Sequence, residues 1–317
     1  MTSILVFSPD EPEALKYRQL LEAALPGAPI GSASTAEEAR PFIADAEIIF
    51  GWKFPAGLLG QAASLRWIHK VSAGVEDVVS DPGRPASVRL SRSDGSVIAP
   101  RMSEYVLAAI YATNQKLMQA VHQQADGLWR SYMVDRAAEK TVGIAGLGDI
   151  GSAIAAALHK NGMRVVGWRR SKAQPPNGVD RVYSGRAELR DFVSECDFVV
   201  SVLPSTEETK NVFDADVFAA MRPDAVFVNI GRGASVDEDA LADAITNKRI
   251  GGAVLDVFKE EPLPASSLFW GLDRVIITPH VSGPIIPEDV VPFFIENFRR
   301  YRSGERLLKE VDLARGY

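Results

Sequence analysis

Three side chains that can hold or protonate an oxygen atom each follow an apolar segment in the second half of the sequence. Arg232 lies in NIGRGASVDEDAL, Glu261 in LDVFKEEPLP and His280 in ITPHVSG. An arginine can grip a carboxylate through two hydrogen bonds and polarise the adjacent carbonyl group. A histidine can act as a general acid, and a carboxylate on its second ring nitrogen fixes the tautomer. Together the three groups suit the reduction of a 2-oxo acid.

Each of these residues alone also fits a structural role. Taken singly, Arg232 fits a surface ion pair, Glu261 fits a turn before its proline, and His280 fits a core histidine. Their order, each at the end of a strand-like segment, favours the chemical interpretation.

Strand-like apolar segments alternate with helical patterns in both halves of the chain. The first half has such segments at 4–7, 47–50 and 66–71, and the second half has a series from 141 to 280. This alternation predicts open parallel sheets, whose carboxyl strand ends meet on the side where ligands bind. We therefore expect an α/β protein with two doubly wound domains, the second inserted after a long helix near residue 100.

That long helix is predicted for residues 100–127, with Ser103 as an early cap and Gly127 as the stop. The preceding segment, 81–97, is rich in Pro, Gly, Ser and Arg, which is typical of a loop or a sheet edge. The helix would separate the first domain from the second.

The segment GLGDIG at 146–151 matches the G-x-G-x-x-G pattern of dinucleotide-binding loops. It follows a strand-like segment and opens an alanine-rich helix, which is the context that the pattern requires. Gly146 permits the tight turn, Gly148 the approach of a pyrophosphate, and Gly151 the packing of helix on strand. Asp149 and Ile150 begin the helix, whose free N–H groups would face the phosphates. A purely structural turn is the alternative.

Two arginines stand at the end of the next strand-like segment, where an acidic residue would bind a ribose 2′-hydroxyl. The sequence there is Trp168, Arg169, Arg170 and Ser171. Cations at this point favour a 2′-phosphate, so the sequence predicts NADPH in preference to NADH. A solvated basic loop is the simpler alternative.

Composition limits the class of protein. The chain has 317 residues, 46% of them hydrophobic, and a net charge of -6, so no general attraction to nucleic acid or anionic membranes is expected. Cys196 is the single cysteine, and no signal peptide or membrane helix is evident, so we expect a cytoplasmic protein. No His/Cys cluster has metal-ligand spacing, and no metal is expected. We expect structural or surface roles for His69, His122 and His159.

The chain resembles the D-isomer-specific 2-hydroxyacid dehydrogenases over nearly its full length. The signatures that carry the resemblance are TVGIAGLGDIGSAIA, LPSTEETKNVF, NIGRGASVDEDAL, GGAVLDVFKEEPL and TPHVSG. The resemblance implies that Arg232, Glu261 and His280 are catalytic. It also implies a substrate domain built from residues 1–99 and 285–317 around a dinucleotide-binding domain, 100–284. The expected assembly is a homodimer formed through an arm within the second domain.

Within the family the chain most resembles the NADPH-dependent glyoxylate/hydroxypyruvate reductase A branch. The WRRS loop is similar to the cationic loop of that branch, and GWKFP is similar to its aromatic substrate-side loop. The turn VSAGVED matches the family's carboxylate-binding turn, although Glu76 stands where the family usually has Asp. The resemblance implies substrate contacts from Trp52, Gly74 and Val75, and cofactor contacts from Leu203, Pro204, Ile230, Gly231 and Asp256.

These observations predict an enzyme that transfers hydride from NADPH to a small 2-oxo acid such as glyoxylate or hydroxypyruvate. A dinucleotide-sensing binding module on the same fold is the alternative. The presence of arginine, glutamate and histidine favours catalysis, since a sensor does not need a proton donor. Phosphite and formate are less favoured substrates, because formate requires no Glu–His proton donor and phosphite would require more cations near residues 71–77.

Overall fold

The computed structural model describes residues 2–72, 74–93 and 95–313. These residues form twelve β-strands, which are β1 (Ile4–Phe7), β2 (Ile30–Ala33), β3 (Ile48–Gly51), β4 (Trp67–Lys70), β5 (Arg89–Arg92), β6 (Thr141–Ala145), β7 (Arg164–Arg169), β8 (Arg181–Ser184), β9 (Phe198–Ser201), β10 (Val226–Asn229), β11 (Gly252–Leu255) and β12 (Val275–Ile277). Ten α-helices are described, namely α1 (Glu11–Ala24), α2 (Ala36–Ile43), α3 (Glu76–Val79), α4 (Gly95–Asn114), α5 (Leu117–Ala125), α6 (Asp149–Lys160), α7 (Leu189–Ser194), α8 (Ala215–Ala220), α9 (Glu238–Thr246) and α10 (Pro287–Arg302).

The chain divides into two compact units, and the first combines Met1–Val97 with Ile285–Tyr317. Its sheet has the order β2-β1-β3-β4-β5, and all neighbouring strands are parallel. Alternate residues of β1 enter different cores, Leu5 and Phe7 on one face and Ile4 on the other. Because successive side chains of a strand point to opposite faces, this sheet is covered on both sides.

Helix α10 returns the end of the chain to the first unit. Its buried residues Val290 and Phe294 share a core with Tyr17 and Leu21 of α1 and with Trp67 of β4. The fold prediction of a unit built from both termini, with a second α/β unit inserted, is confirmed.

The second unit, Ile98–Pro284, contains a seven-stranded sheet with the order β12-β11-β10-β9-β6-β7-β8. All its neighbouring strands are parallel. The chain leaves β6 in one direction to β7 and later returns to the other side of β6 with β9. In such sheets the carboxyl strand ends at this switch point form the ligand-binding crevice.

The structure corrects the prediction for the long helix. One helix begins at Gly95, well before Ser103, and it ends at Asn114; α5 follows after Lys116, whose φ is 54°. Ser103 is therefore not a cap. It lies inside α4 and its hydroxyl donates to the carbonyl oxygen of Ala99 at 2.7 Å. Gly127 has a φ of 65° just after α5, as expected for a residue that ends a helix.

Two structural features are absent from residues 2–72, 74–93 and 95–313. Among these residues no helix is long and apolar enough to cross a membrane. The same residues contain no group of three or more His, Cys, Asp or Glu side chains that could hold a metal ion. Cys196 is a buried free thiol, and burial raises its pKa.

Candidate active site

The glycine loop lies between β6 and α6, at the carboxyl edge of the second sheet. Gly146 has a φ of 106°, a conformation that L side chains rarely adopt. A Cβ on Gly151 would lie 1.9 Å from the carbonyl oxygen of Gly146, so only glycine lets the helix begin this close to the loop. A Cβ on Gly148 would meet nothing within 4 Å, so the space above the N-cap is open. Asp149 and Ile150 form the first turn. The loop fits a dinucleotide pyrophosphate at a helix N-terminus.

Glycines also bring the neighbouring strand ends into backbone contact. A Cβ on Gly231, after β10, would lie 2.6 Å from the backbone nitrogen of Leu203, after β9. One on Gly233 would lie 1.9 Å from the carbonyl carbon of Phe258, after β11. The loops after β9, β10 and β11 therefore pack without intervening side chains. This packing holds the segment that carries Arg232 against the segment that leads to Glu261.

Arg232 follows β10 and is half-buried. Its Nη1 donates to the carbonyl oxygen of Gly231 at 2.8 Å. The loop is held by Asn229, whose side-chain nitrogen donates to the Arg232 carbonyl oxygen and whose side-chain oxygen accepts from the Gly231 N–H, both at 3.2 Å. Asn229 itself is buried, so the base of the arginine is fixed by the end of the strand.

Glu261 and His280 form a hydrogen-bonded pair. The distance from His280 Nδ1 to Glu261 Oε2 is 2.8 Å. The other glutamate oxygen, Oε1, accepts from the N–H of Phe258 at 3.0 Å. The carboxylate is thus tied to the backbone on one side and to the imidazole on the other. The side chain of His280 is 47% exposed, so its ring is open to solvent.

The two arginines after β7 differ in their surroundings. Arg169 is the last residue of the strand and is half-buried. Arg170 is exposed, and its Nη1 lies 2.6 Å from Oε2 of Glu208 in the loop after β9. Ser171 is exposed. The strand end thus presents two guanidinium groups, one of which already has a carboxylate partner.

Several expected cofactor contacts lie deep in the second unit. Trp168 is 6% exposed, and its ring N–H donates to the Gly185 carbonyl oxygen at 2.9 Å, which indicates a packing role for the ring. Asp256 is fully buried at the end of β11. Pro204 is exposed, whereas Leu203 and Ile230 are buried.

The expected substrate contacts of the first unit surround the ends of β3 and β4. Trp52 is half-buried, with Nζ of Lys53 at 4.9 Å from its ring centroid. In the turn after β4, the Ser72 hydroxyl donates to the carbonyl oxygen of Gly74 at 2.8 Å, and the side chain of Val75 is buried.

An ion pair made by a buried lysine supports this turn. Lys70 is 1% exposed and its Nζ lies 2.6 Å from Oδ2 of Asp77, in the first turn of α3. Burial lowers the pKa of Lys70, and Asp77 opposes that shift. The pair joins the end of β4 to the start of α3 across the intervening turn.

Three residues linked by hydrogen bonds to candidate site residues were not predicted from the sequence. Tyr105 and Thr278 form a hydrogen bond that reaches Asp256, and Glu208 pairs with Arg170. Thr278 lies within the ITPHVSG motif and Glu208 within LPSTEETKNVF, so a signal was present for both. Nothing in the pattern around Tyr105 distinguishes it from its neighbours in α4.

A switch-point sheet, a glycine loop and an Arg, Glu and His at successive strand ends together define a dinucleotide-dependent dehydrogenase site. The family model "D-isomer specific 2-hydroxyacid dehydrogenase, NAD binding domain" matches residues 107–282. The chain belongs to the D-isomer-specific 2-hydroxyacid dehydrogenase family, as its sequence predicted.

Relatives with known names and solved structures support this assignment. The chain is 32% identical over 271 residues to glyoxylate/hydroxypyruvate reductase A of Photorhabdus laumondii, covering 84% of this chain and 86% of that one. A D-isomer-specific 2-hydroxyacid dehydrogenase from Xanthobacter autotrophicus, crystallised with NADPH and MES, has a TM-score of 0.90 at 32% identity and full coverage of both chains. The NADPH-dependent glyoxylate/hydroxypyruvate reductase of Sinorhizobium meliloti, crystallised with NADP and sulfate, has a TM-score of 0.91 at 30% identity, covering 99% of this chain and all of that one.

Proposed function

We propose that this protein reduces a small 2-oxo acid, such as glyoxylate or hydroxypyruvate, to the 2-hydroxy acid with NADPH. The observation that carries the proposal is the 2.8 Å pair of His280 and Glu261, on the same sheet edge as the glycine loop. A proton donor held at the ligand-binding edge of a dinucleotide sheet suits the reduction of a carbonyl group.

His280 acts as the general acid in this proposal. An ionised carboxylate only accepts hydrogen bonds, so Nδ1 of His280 carries the proton that bonds Glu261. When the imidazole is protonated, Nε2 carries the second proton, and this is the one delivered to the developing alkoxide. Glu261 stabilises the charged ring before the transfer and fixes the tautomer that is left after it.

Arg232 binds the substrate carboxylate and polarises the adjacent carbonyl group. A guanidinium has five N–H donors in a planar fork, and the bond from Nη1 to the carbonyl oxygen of Gly231 orients that fork. Positive charge beside the carbonyl oxygen stabilises the negative charge that develops there. Arg232 therefore acts in both binding and turnover.

Arg169, Arg170 and Ser171 would recognise the 2′-phosphate of NADPH, and the loop from Gly146 to Gly151 would hold the pyrophosphate. When bound, NADPH supplies the hydride. Support comes from relatives of the same fold that were crystallised with NADPH or NADP. NADP(H) in preference to NAD(H) is accordingly part of the proposal.

In this proposal the first unit is the substrate domain and the second the dinucleotide-binding domain. The N–H groups of Gly74 and Val75 would bind the substrate carboxylate, and Trp52 would contact the rest of the substrate. The Lys70–Asp77 pair supports this role, since it holds the turn that carries those N–H groups.

We further propose that a second copy of the chain covers α5 and the segment after it. Exposed apolar side chains are concentrated there, with Leu117 51%, Val121 53%, Trp129 101% and Met133 85% exposed. Leu117 and Val121 are four residues apart and share one face of α5, which has no buried residue. Apolar surface of this extent favours a protein partner, and a homodimer fits the family expectation.

Light scattering after size-exclusion chromatography tests the homodimer. The wild type should have twice the mass of the chain, and Val121→Asp with Trp129→Ser should give a folded monomer. A monomeric wild type would refute the assembly without affecting the catalytic proposal. A cytoplasmic location stays a prediction from the sequence.

Initial rates with glyoxylate and hydroxypyruvate, each with NADPH and with NADH, test the activity. The proposal predicts rapid oxidation of NADPH with at least one substrate and much slower oxidation of NADH. Equal rates with both cofactors would support the proposed reductase activity but contradict the proposed role of Arg169 and Arg170 in selecting NADPH. Absence of turnover with a broad set of 2-oxo acids would contradict the proposal and favour a dinucleotide-sensing module.

A further inference from the structure

A chain of hydrogen bonds runs from α4 to the end of β11. The hydroxyl groups of Tyr105 and Thr278 are 2.6 Å apart, and the Thr278 hydroxyl donates to Oδ1 of Asp256. Asp256 is fully buried, and the phenol of Tyr105 is partly buried. All three residues belong to the second unit. These hydrogen bonds connect helix α4 to the loop that contains His280.

The number of available protons decides which group donates in each of these hydrogen bonds. Both oxygens of Asp256 accept hydrogen bonds, which is the pattern of an ionised carboxylate. A threonine hydroxyl has one proton, and that of Thr278 is given to Asp256. Tyr105 must therefore be the donor to Thr278. Hydrogen bonds in a series that ends on a carboxylate polarise one another, so each bond in the series is strengthened.

The phenol of Tyr105 keeps its proton over the range in which such an enzyme is assayed. Burial, together with the charge of Asp256, raises the pKa of Tyr105 to about 12, although the bond to Thr278 opposes the shift. The phenol therefore remains a hydrogen-bond donor at any pH well below that pKa.

Asp256 holds the backbone on both sides of His280. Its backbone oxygen accepts from the N–H of His280 at 2.9 Å. Its carboxylate accepts from the N–H groups of Val281 at 2.8 Å and Ser282 at 2.9 Å. His280 has a φ of 54°, a left-handed conformation that is costly for a residue with a Cβ. Such a conformation persists where the surroundings enforce it, and Asp256 supplies three of the bonds that do so.

We propose that Tyr105 is a positioning residue for His280, acting through Thr278 and Asp256. The inference rests on the proposed function, in which His280 delivers the proton. Without the Tyr105 hydroxyl, Thr278 can rotate away from Asp256, and the carboxylate loses the bond that orients it toward the backbone beyond His280. The imidazole then leaves the geometry in which Glu261 holds it. Proton delivery slows, whereas the glycine loop and the arginines after β7 are unchanged.

Steady-state kinetics of five variants test this arrangement. Tyr105→Phe should lower kcat about tenfold, the loss that corresponds to about 1.4 kcal/mol, and should raise the KM for NADPH by a smaller factor. Thr278→Val should lower kcat further, and Thr278→Ser, which keeps the hydroxyl, should restore most of it. If Tyr105 acts only through Thr278, Tyr105→Phe should have no added effect in the Thr278→Val background. Tyr111→Phe, on the same helix, is the matched control and should retain wild-type kcat.

A spectroscopic measurement separates this inference from the proposed function. In protein labelled at its histidine rings, the His280 resonance should move in Tyr105→Phe and Thr278→Val, while those of His122 and His159 stay in place. This result supports the positioning role even if the wild type reduces no 2-oxo acid. An unmoved His280 resonance, additive effects of the two substitutions, or an equal loss of NADPH affinity and kcat would each overturn it.

Discussion

Replacement of Arg169 by alanine should reduce the preference for NADPH more than replacement of Arg170. Arg169 is half-buried at the end of β7, where a bond to a 2′-phosphate would be partly shielded from water. Arg170 is 59% exposed and already lies 2.6 Å from Glu208, which is 63% exposed. A phosphate must share Arg170 with this carboxylate, so Arg170 contributes less free energy to the binding of the 2′-phosphate than Arg169 does.

The expected magnitudes differ accordingly. A charge-assisted hydrogen bond contributes about 1.5–3 kcal/mol, so Arg169→Ala should lower the ratio of kcat/KM for NADPH to that for NADH by about 10- to 100-fold. An exposed ion pair contributes about 0.2–1 kcal/mol, so Arg170→Ala should lower the ratio by no more than about fivefold. Glu208→Gln removes the competing carboxylate from Arg170 and should raise the ratio by a similar small factor.

The assay is the initial rate of oxidation of each cofactor at saturating 2-oxo acid, with Lys172→Ala as the matched control. Lys172 is an exposed cation in the same loop, so its removal reports the general effect of one positive charge. An equal loss of kcat/KM with NADPH and NADH in Arg169→Ala would refute the reasoning. So would a larger change in selectivity for Arg170→Ala than for Arg169→Ala.

Three further predictions concern the proton donor, the glycine loop and a buried histidine. His280→Asn should lower reductive kcat at least 100-fold, the range of general acid catalysis, with NADPH affinity retained in fluorescence titration; an unchanged kcat would remove His280 from the mechanism. Gly151→Ala places a Cβ 1.9 Å from a carbonyl oxygen of the loop and should lower the free energy of unfolding by about 1–3 kcal/mol and weaken NADPH binding, whereas Ser152→Ala should do neither. Burial lowers the pKa of His69 from 6.5 to about 3. Between these two pH values the unfolded chain binds a proton at His69 that the folded chain does not. The free energy of unfolding therefore falls as pH falls from 6.5 towards 3, by about 1.4 kcal/mol per pH unit. Denaturant titrations should show a shallower pH dependence in His69→Phe than in wild type or His159→Gln, and parallel curves would contradict this assignment.

Local patterns were sufficient to predict that the candidate site residues lie at one sheet edge, because these residues follow consecutive strands. Arg232, Glu261 and His280 each stand just after an apolar segment, and a parallel sheet brings such positions to one edge without further information. The glycine pattern was informative for the same reason, since its strand and helix are adjacent in sequence. The fold class followed from the alternation of strand and helix patterns.

Elements without a strong local signal were not predictable. Strand β2 (IGSA) lacks a run of large apolar residues and depends on packing, since Gly31 lies where a Cβ would be 2.5 Å from the ring of Phe42. The break before α5 occurs at Lys116, in a left-handed conformation that neither glycine nor proline announces. Helix α4 starts in a Gly-Ser-Val segment of weak helix propensity, so its beginning was placed too late.

Contacts between residues far apart in the sequence could not be predicted either. Tyr105 and Thr278 are separated by 173 residues, and Arg170 and Glu208 by 38. Both pairs arise only when the second unit is folded. Periodicity and motif spacing report which residues share a face or a strand end, but they do not report which side chains meet across the sheet.

Transfer of deuterium from NADPH labelled at C4 of the nicotinamide tests the central claim most directly. The purified protein is incubated with glyoxylate and each stereoisomer of the labelled cofactor, and the product is analysed by mass spectrometry. The account predicts 2-hydroxy acid with one deuterium at C2 from one stereoisomer alone. Deuterium in neither product, with the cofactor bound but unconsumed, would contradict the assignment of this chain as a reductase.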